Sequence, residues 1–200
     1  EINYVSSLRK NILDTDPCYI LFTSGSTGLP KGVVISHRMV IDLTEWLNSV
    51  TNINHEDNIG NQTPFFFDAS VKDIYQMIKT GATLHVLKTS YFVFTKMLIE
   101  YLNENEITCI LWASSALTMV CNSGILDQIK PEYLRLITFA GEQFHTKHFN
   151  MWKEAVPDAK YINIYGPTEI TVDCLYYEVD REFNDDELIP LGHACENMEV

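Results

Sequence analysis

Apolar and polar positions along this chain fall into two rhythms. Short runs rich in β-branched and aromatic residues occupy 18–23, 32–36, 83–87, 107–112, 134–140 and 160–164, and each fits a strand. Between them apolar residues return every three or four positions: Met39, Val40, Leu43, Trp46, Leu47 and Val50 predict a helix with one buried face, and Ser36 stands where it could cap it. A second helix is expected over 69–79, ending at Gly81, with Val71, Ile74, Tyr75 and Ile78 on one side. Two more fit 93–103 and 147–155, the latter stopping before Pro157. Alternation of this kind predicts an α/β fold, mainly parallel sheets flanked by helices. Residues 1–185 are expected to form one central α/β region. The acidic, turn-forming stretch 180–187 marks the break in character, and 186–200 is expected to open a following subdomain that is cut short.

Charge narrows the partners. With 14 Lys and Arg against 27 Asp and Glu, the formal charge of −13 repels a phosphate backbone, so nucleic acid is not an expected partner. The stretch 107–126 carries no charge over 20 residues, long enough to span a bilayer, but Ser114, Ser115, Asn122 and Gly124 interrupt it and it divides into a strand and a short helix; no membrane span is expected. Cys18, Cys109, Cys121, Cys174 and Cys195 are scattered and mostly embedded in apolar sequence, with no metal-ligand spacing, and no secretory pattern opens the sequence. A reducing, cytoplasmic setting follows as the expectation.

The strongest chemical signal is Thr23-Ser24-Gly25-Ser26-Thr27-Gly28-Leu29-Pro30-Lys31-Gly32, between two expected strands. Its glycines permit close backbone approach, its hydroxyls donate hydrogen bonds, and Lys31 adds a mobile positive charge, a combination suited to a polyphosphate. The bland alternative is a flexible Ser/Gly turn. It is not the G-x-x-x-x-G-K-[ST] loop of kinases and GTPases, because Pro30 intervenes before Lys31.

Two further segments carry chemistry. In Asn163-Ile164-Tyr165-Gly166-Pro167-Thr168-Glu169 a strand runs into a turn that exposes a hydroxyl and a carboxylate, where Mg²⁺ and phosphate oxygens can be held, although an ordinary strand-ending turn would look the same. In Phe67-Asp68-Ala69-Ser70, Asp68 is either a helix cap or an anion kept for a cationic substrate group. The short segment Phe139-Ala140-Gly141-Glu142 means little alone. His37 follows the loop but is read as structural, and His85, His145 and His148 form no constellation.

Taken together, these motifs resemble those of the adenylate-forming superfamily, which includes the amino-acid adenylation domains of non-ribosomal peptide synthetases, the D-alanine–carrier protein ligases and the acyl-CoA synthetases. The resemblance implies that Thr23, Ser24, Gly25, Ser26, Thr27, Gly28 and Lys31 close on the phosphates of ATP, that Glu169 holds Mg²⁺, and that Thr168 contacts the α-phosphate, making Lys31, Thr168 and Glu169 the catalytic group. It places Ala140, Gly141, Glu142, Asn163, Ile164 and Tyr165 around adenine. It gives Asp68 to the substrate ammonium, a need that fatty-acid activation lacks, and puts Ala69, Lys72, Thr138, Ala140, Ile164, Val172 and Asp173 near the substrate side chain, with Leu111 less securely so. Lys72 and Asp173 would pair and narrow the pocket, or meet a polar or charged substrate side chain, or Lys72 would point away. The implied reaction is ATP-dependent formation of an aminoacyl-AMP with release of pyrophosphate, then transfer to a carrier-protein thiol. The family's C-terminal motifs are absent from these 200 residues, so weak or no activity is expected of them alone. An acyl- or aryl-CoA ligase and a non-catalytic nucleotide-binding module are the alternatives.

Overall fold

A computed structural model of the chain describes residue 9, residues 11–24 and residues 28–200. Two strands, β1 (Pro17–Thr23) and β2 (Lys31–Ser36), form an antiparallel hairpin. There follow α1 (His37–Thr51), β3 (Asn58–Asn61), α2 (Ser70–Thr80), β4 (Thr83–Val86), α3 (Thr89–Val93), α4 (Thr95–Glu104), β5 (Cys109–Ala113), α5 (Ser114–Asn122), β6 (Leu136–Ala140), α6 (Thr146–Ala155), β7 (Lys160–Tyr165), β8 (Leu175–Glu178) and β9 (His193–Ala194). Seven of the strands make one sheet in the order β4-β3-β5-β6-β7-β8-β9. It is parallel from β4 to β7 and antiparallel beyond.

β5, β6 and β7 are near-continuous buried runs because both their faces are covered. Side chains alternate across the sheet: Ile110 and Trp112 of β5, Ile137 and Phe139 of β6, and Tyr161 of β7 pack with Leu98, Leu102, Leu117, Phe149 and Trp152 of α4–α6. On the other face, Leu111, Leu136, Ile162 and Ile164 pack with Val40, Leu43, Trp46, Leu47 and Val71 of α1 and α2. The Trp112 indole N–H donates to the Gly60 carbonyl at 2.7 Å, tying β5 to β3. Arg135 donates to both carboxylate oxygens of Asp57, joining the lead-in to β6 to the turn before β3.

Order in the sheet fixes where ligands can enter. The chain runs outward from β3 to β4 and then returns to place β5 on the other side of β3, so the direction of winding reverses between β3 and β5. Beyond the carboxyl ends of strands at such a reversal the following loops diverge and leave a crevice.

The α/β class and the mainly parallel sheet stand as expected, with three corrections. The two strands around the glycine-rich loop do not belong to the parallel sheet but form their own antiparallel pair. Met39 is 40% exposed and not part of the buried face of α1, while Ser36 does cap that helix, accepting from the Met39 N–H. The face of α2 is also rotated from the expected one: Ile78 is 63% exposed, and the buried residues are Ser70, Val71, Lys72, Asp73 and Gln76. Polar partners account for it. Asn61 Nδ2 donates to Asp73 at 2.6 Å, Gln76 Nε2 donates to the Thr44 carbonyl at 2.9 Å, and Asn48 Nδ2 donates to Gln76 at 3.2 Å. These bonds hold the polar groups in the interior in place of Ile78, although Asp73 Oδ1 has no hydrogen-bond partner among the described residues.

Burial pushes the Asp73 carboxyl up to about 7, held back by Asn61 and by Lys72. Because the folded value is above the unfolded one of about 3.9, the unfolded chain loses its proton first as pH rises, so Asp73 withdraws stability between about pH 4 and pH 7. Asp73→Asn should therefore gain on the wild type by up to about 4 kcal/mol across that window, at about 1.4 kcal/mol per unit, read from urea midpoints at the two pH values. A difference independent of pH would contradict this.

Candidate active site

The glycine-rich loop is carried by the hairpin. Thr23 pairs with Lys31 across the two strands, so everything between them is the loop. Gly28 has φ +84°, in the left-handed region that favours glycine. Gly25, Ser26 and Thr27 lie outside the described residues. At the root of the loop, Thr23 Oγ1 donates to Glu169 Oε1 at 3.1 Å, so two segments 146 positions apart meet at one place.

Glu169 belongs to a tightly folded turn after β7. Gly166 is required there: a Cβ would lie 2.5 Å from the Val172 carbonyl oxygen and 2.6 Å from Asp173 Cα, both backbone atoms. Thr168–Ile170 form one 3₁₀ turn, and Thr171 and Val172 then take φ values of +65° and +75°. Two consecutive β-branched residues in that region cost about 1–3 kcal/mol each. Such strain is found where surrounding structure holds a functional geometry in place.

Thr168 Oγ1 donates to Asp68 Oδ2 at 2.6 Å. Asp68 makes no cap to α2, which begins with Ala69 in the cap position and no side-chain cap bond; the capping alternative is therefore set aside. Lys72, one turn into α2, pairs with Asp173 at 3.3 Å, and both are nearly fully buried. Burial pushes the Asp173 carboxyl up more strongly than Lys72 draws it down. On the hairpin side, Cys18 Sγ lies 3.1 Å from Tyr75 Oη, and burial together with the Asp68 charge raises the Tyr19 phenol.

Two cavities meet at Gly141. The first, about 340 Å³, opens at the carboxyl ends of β3, β5 and β6 and is lined by Asp68, Ala69, Lys72, Leu111 and Ala140 of the expected residues. Thr138, Val172 and Asp173 are buried and do not line it, Asp173 being linked to it through Lys72. The second, about 280 Å³, is lined by Gly141, Glu142, Asn163, Ile164 and Tyr165. Asn163 turns its amide to the Pro190 carbonyl at 2.7 Å, which anchors the 188–191 segment as a further wall. A larger hollow of about 590 Å³ near Lys153, Arg181 and Phe183 holds none of the motif residues.

Several lining residues were not singled out from sequence: Gln62, Thr63 and Pro64 after β3, Trp112 and Ala113 at the end of β5, and Leu188 and Ile189. Their signal is positional. Those from β3 and β5 stand at strand ends at the reversal of the sheet, while Leu188 and Ile189 come from the segment before β9; β3 itself, Asn-Ile-Gly-Asn, lacks the apolar run that marks a strand.

Among the described residues, no group of three or more His, Cys, Asp or Glu side chains could hold a metal by itself, and no helix is long and apolar enough to cross a membrane. A single carboxylate, as Glu169 provides, suits Mg²⁺, which is usually bound through one or two carboxylates together with substrate phosphates.

Comparison with known proteins places this arrangement. Residues 6–200 match the family model for AMP-binding enzymes, and the chain belongs to that family. It is 34% identical over 186 residues to the L-proline–[L-prolyl-carrier protein] ligase of Pseudomonas fluorescens, covering 92% of this chain and 37% of that ligase. It is 32% identical over 197 residues to the D-alanine–D-alanyl carrier protein ligase of Bacillus velezensis, covering 96% and 39%. The Vibrio cholerae adenylation domain AlmE, solved in complex with glycyl-adenosine-5'-phosphate, superposes with a TM-score of 0.82 at 26% identity over 94% of this chain and 35% of that one. The chain thus spans less than two fifths of the length of these relatives.

Gly166→Ala should force the backbone at Val172–Asp173 apart, lowering stability by about 1–3 kcal/mol. Denaturant titration checks this; an unchanged midpoint would show that the turn does not depend on Gly166.

Proposed function

We propose that this chain is the nucleotide- and substrate-binding part of an enzyme that activates an amino acid with ATP and passes it to a carrier-protein thiol. The observation that carries the proposal is the convergence of three separate motifs: Thr23 on Glu169 and Thr168 on Asp68, with Lys72 and Asp173 alongside. Carrier-protein ligases among the relatives agree with it.

In the reaction, a carboxylate oxygen of the amino acid bonds to the α-phosphorus of ATP, the bond from that phosphorus to the bridging oxygen breaks, and pyrophosphate leaves with the electron pair. No protein nucleophile is needed, so the side chains act by alignment and by charge. The loop residues Thr23, Ser24, Gly25, Ser26, Thr27 and Gly28 hold the outer phosphates, and Lys31, exposed at the root of the loop, follows the charge of the departing pyrophosphate. Thr168 donates to the α-phosphate. Glu169 would hold Mg²⁺, which when bound neutralises phosphate charge. The cavity at Tyr165, Ile164, Asn163, Gly141 and Glu142 receives the adenine, with Ala140 at its border; Tyr165, 45% exposed at the end of β7, offers its ring face.

Asp68 takes the substrate ammonium. Lys72 lines the substrate cavity, whereas its partner Asp173 does not. An ammonium has three donors and Asp173 satisfies Lys72 only loosely, at 3.3–3.4 Å, so a substrate side chain bearing an oxygen acceptor fits this end better than an alkyl chain. Ala69, Thr138, Ile164, Val172 and Leu111 shape the remainder. Segment 186–200, whose β9 is the last strand of the main sheet, leads into a following subdomain, and the five thiols, all free, suit a reducing cytoplasm.

ATP–pyrophosphate exchange by the full-length parent, across a panel of amino, fatty and aromatic acids, tests the proposal. Exchange with an amino acid is expected, and exchange only with a fatty or aromatic acid would replace it. Asp68→Ala should lower kcat/KM for the amino acid by about 2 × 10² to 5 × 10³-fold, the cost of about 3–5 kcal/mol for removing one member of a buried charge pair. Lys72→Ala should change which amino acid is preferred, and an unaltered ranking would remove Lys72 from the pocket.

A further inference from the structure

Two groups assigned to different ligands are bonded to each other. The carboxylate proposed for the substrate ammonium, Asp68, accepts a 2.6 Å hydrogen bond from Thr168, the hydroxyl proposed for the α-phosphate. Both side chains are half-buried, so neither can change to bulk water without cost when its partner turns away. Thr168 has one hydroxyl proton. It cannot serve Asp68 and a phosphate oxygen at once.

Resting on the assignment of function above, we infer that the Asp68–Thr168 hydrogen bond couples the two substrate sites, so that amino acid and nucleotide each tighten the binding of the other. Nucleotide alone draws the Thr168 proton to the phosphate and leaves Asp68 short of a donor. Amino acid alone brings an ammonium with three donors to Asp68 and makes the Thr168 bond dispensable. With both present every group is satisfied, and the loss that nucleotide meets alone is avoided. Thr168 is held for this exchange from both sides. The turn that carries it is pinned by Gly166 against Val172 and Asp173, and its neighbour Glu169 is bonded to Thr23. Such coupling is reciprocal: each ligand changes the other's affinity by one common factor.

The test is equilibrium binding to the full-length protein of two unreactive probes: a non-hydrolysable ATP analogue with magnesium, and the alcohol analogue of whichever amino acid supports exchange, which keeps the ammonium and lacks the carboxylate. In the wild type each probe should tighten the other by the same factor, about 5- to 50-fold. In Thr168→Val the factor should fall to about one. The alcohol should bind that variant without nucleotide about as tightly as it binds the wild type with nucleotide. Thr168→Ser, which keeps the hydroxyl, should restore the coupling. A wild type with no coupling or with mutual weakening, or a Thr168→Val variant that retains the wild-type factor, overturns the inference. Absence of exchange with every amino acid tested would overturn instead the function on which it rests.

Discussion

The site depends on where the turn after β7 is held. Thr23 reaches Glu169 from the hairpin, and Asp68 receives Thr168 from the other side. The two bonds fall on adjacent residues, so the turn is held from two sides by segments that come from far earlier in the chain. Local backbone bonds, Thr171 N–H to the Thr168 carbonyl at 3.2 Å and Cys174 N–H to the Tyr165 carbonyl at 2.8 Å, close the turn in which Thr171 and Val172 take left-handed conformations. The grip comes from the hairpin, from the segment before α2 and from the bare backbone of Gly166, and it brings Thr23 at the root of the loop, the carboxylate at the turn and the cavity lined by Asp68 into one place.

A second constraint is electrostatic. Three charged side chains, Lys72, Asp73 and Asp173, are buried within or beside α2. An ordinary amphipathic helix would turn such residues to solvent and bury Ile78. Here the pairing of Lys72 with Asp173 and the bond from Asn61 to Asp73 reverse that preference. A buried ion pair contributes little net stability, since desolvation offsets attraction. Its presence against the cavity wall is better explained by what it presents to a ligand than by what it adds to the fold.

Much of this was legible in sequence, for identifiable reasons. Strands buried on both faces have a strong apolar signal, and β5, β6 and β7 were each recognised, with ends differing by one or two residues. β3 was missed because Asn58, Gly60 and Asn61 hide it, yet it stands at the reversal of the sheet and the loop after it lines the cavity. Tertiary hydrogen bonds decided the orientation of α2, and no periodicity could show them. The motifs themselves were visible because phosphate and metal chemistry demand glycine, hydroxyl and carboxylate at fixed spacing. Their convergence was not visible, because it is made by contacts 100 and 146 positions apart. Sequence leaves the pairing of Lys72 with Asp173 open among alternatives, whereas in the fold the two buried side chains meet at 3.3 Å.

The central claim is that the glycine-rich loop and the turn at Glu169 hold one triphosphate between them. The most direct measurement is a crystal structure of the full-length protein with a non-hydrolysable ATP analogue and magnesium. Phosphates lying between the Thr23–Lys31 loop and Glu169, with the Thr23–Glu169 bond opened to admit the metal, is the result expected. A nucleotide ordered elsewhere, with that bond intact and no phosphate near Lys31, would contradict it.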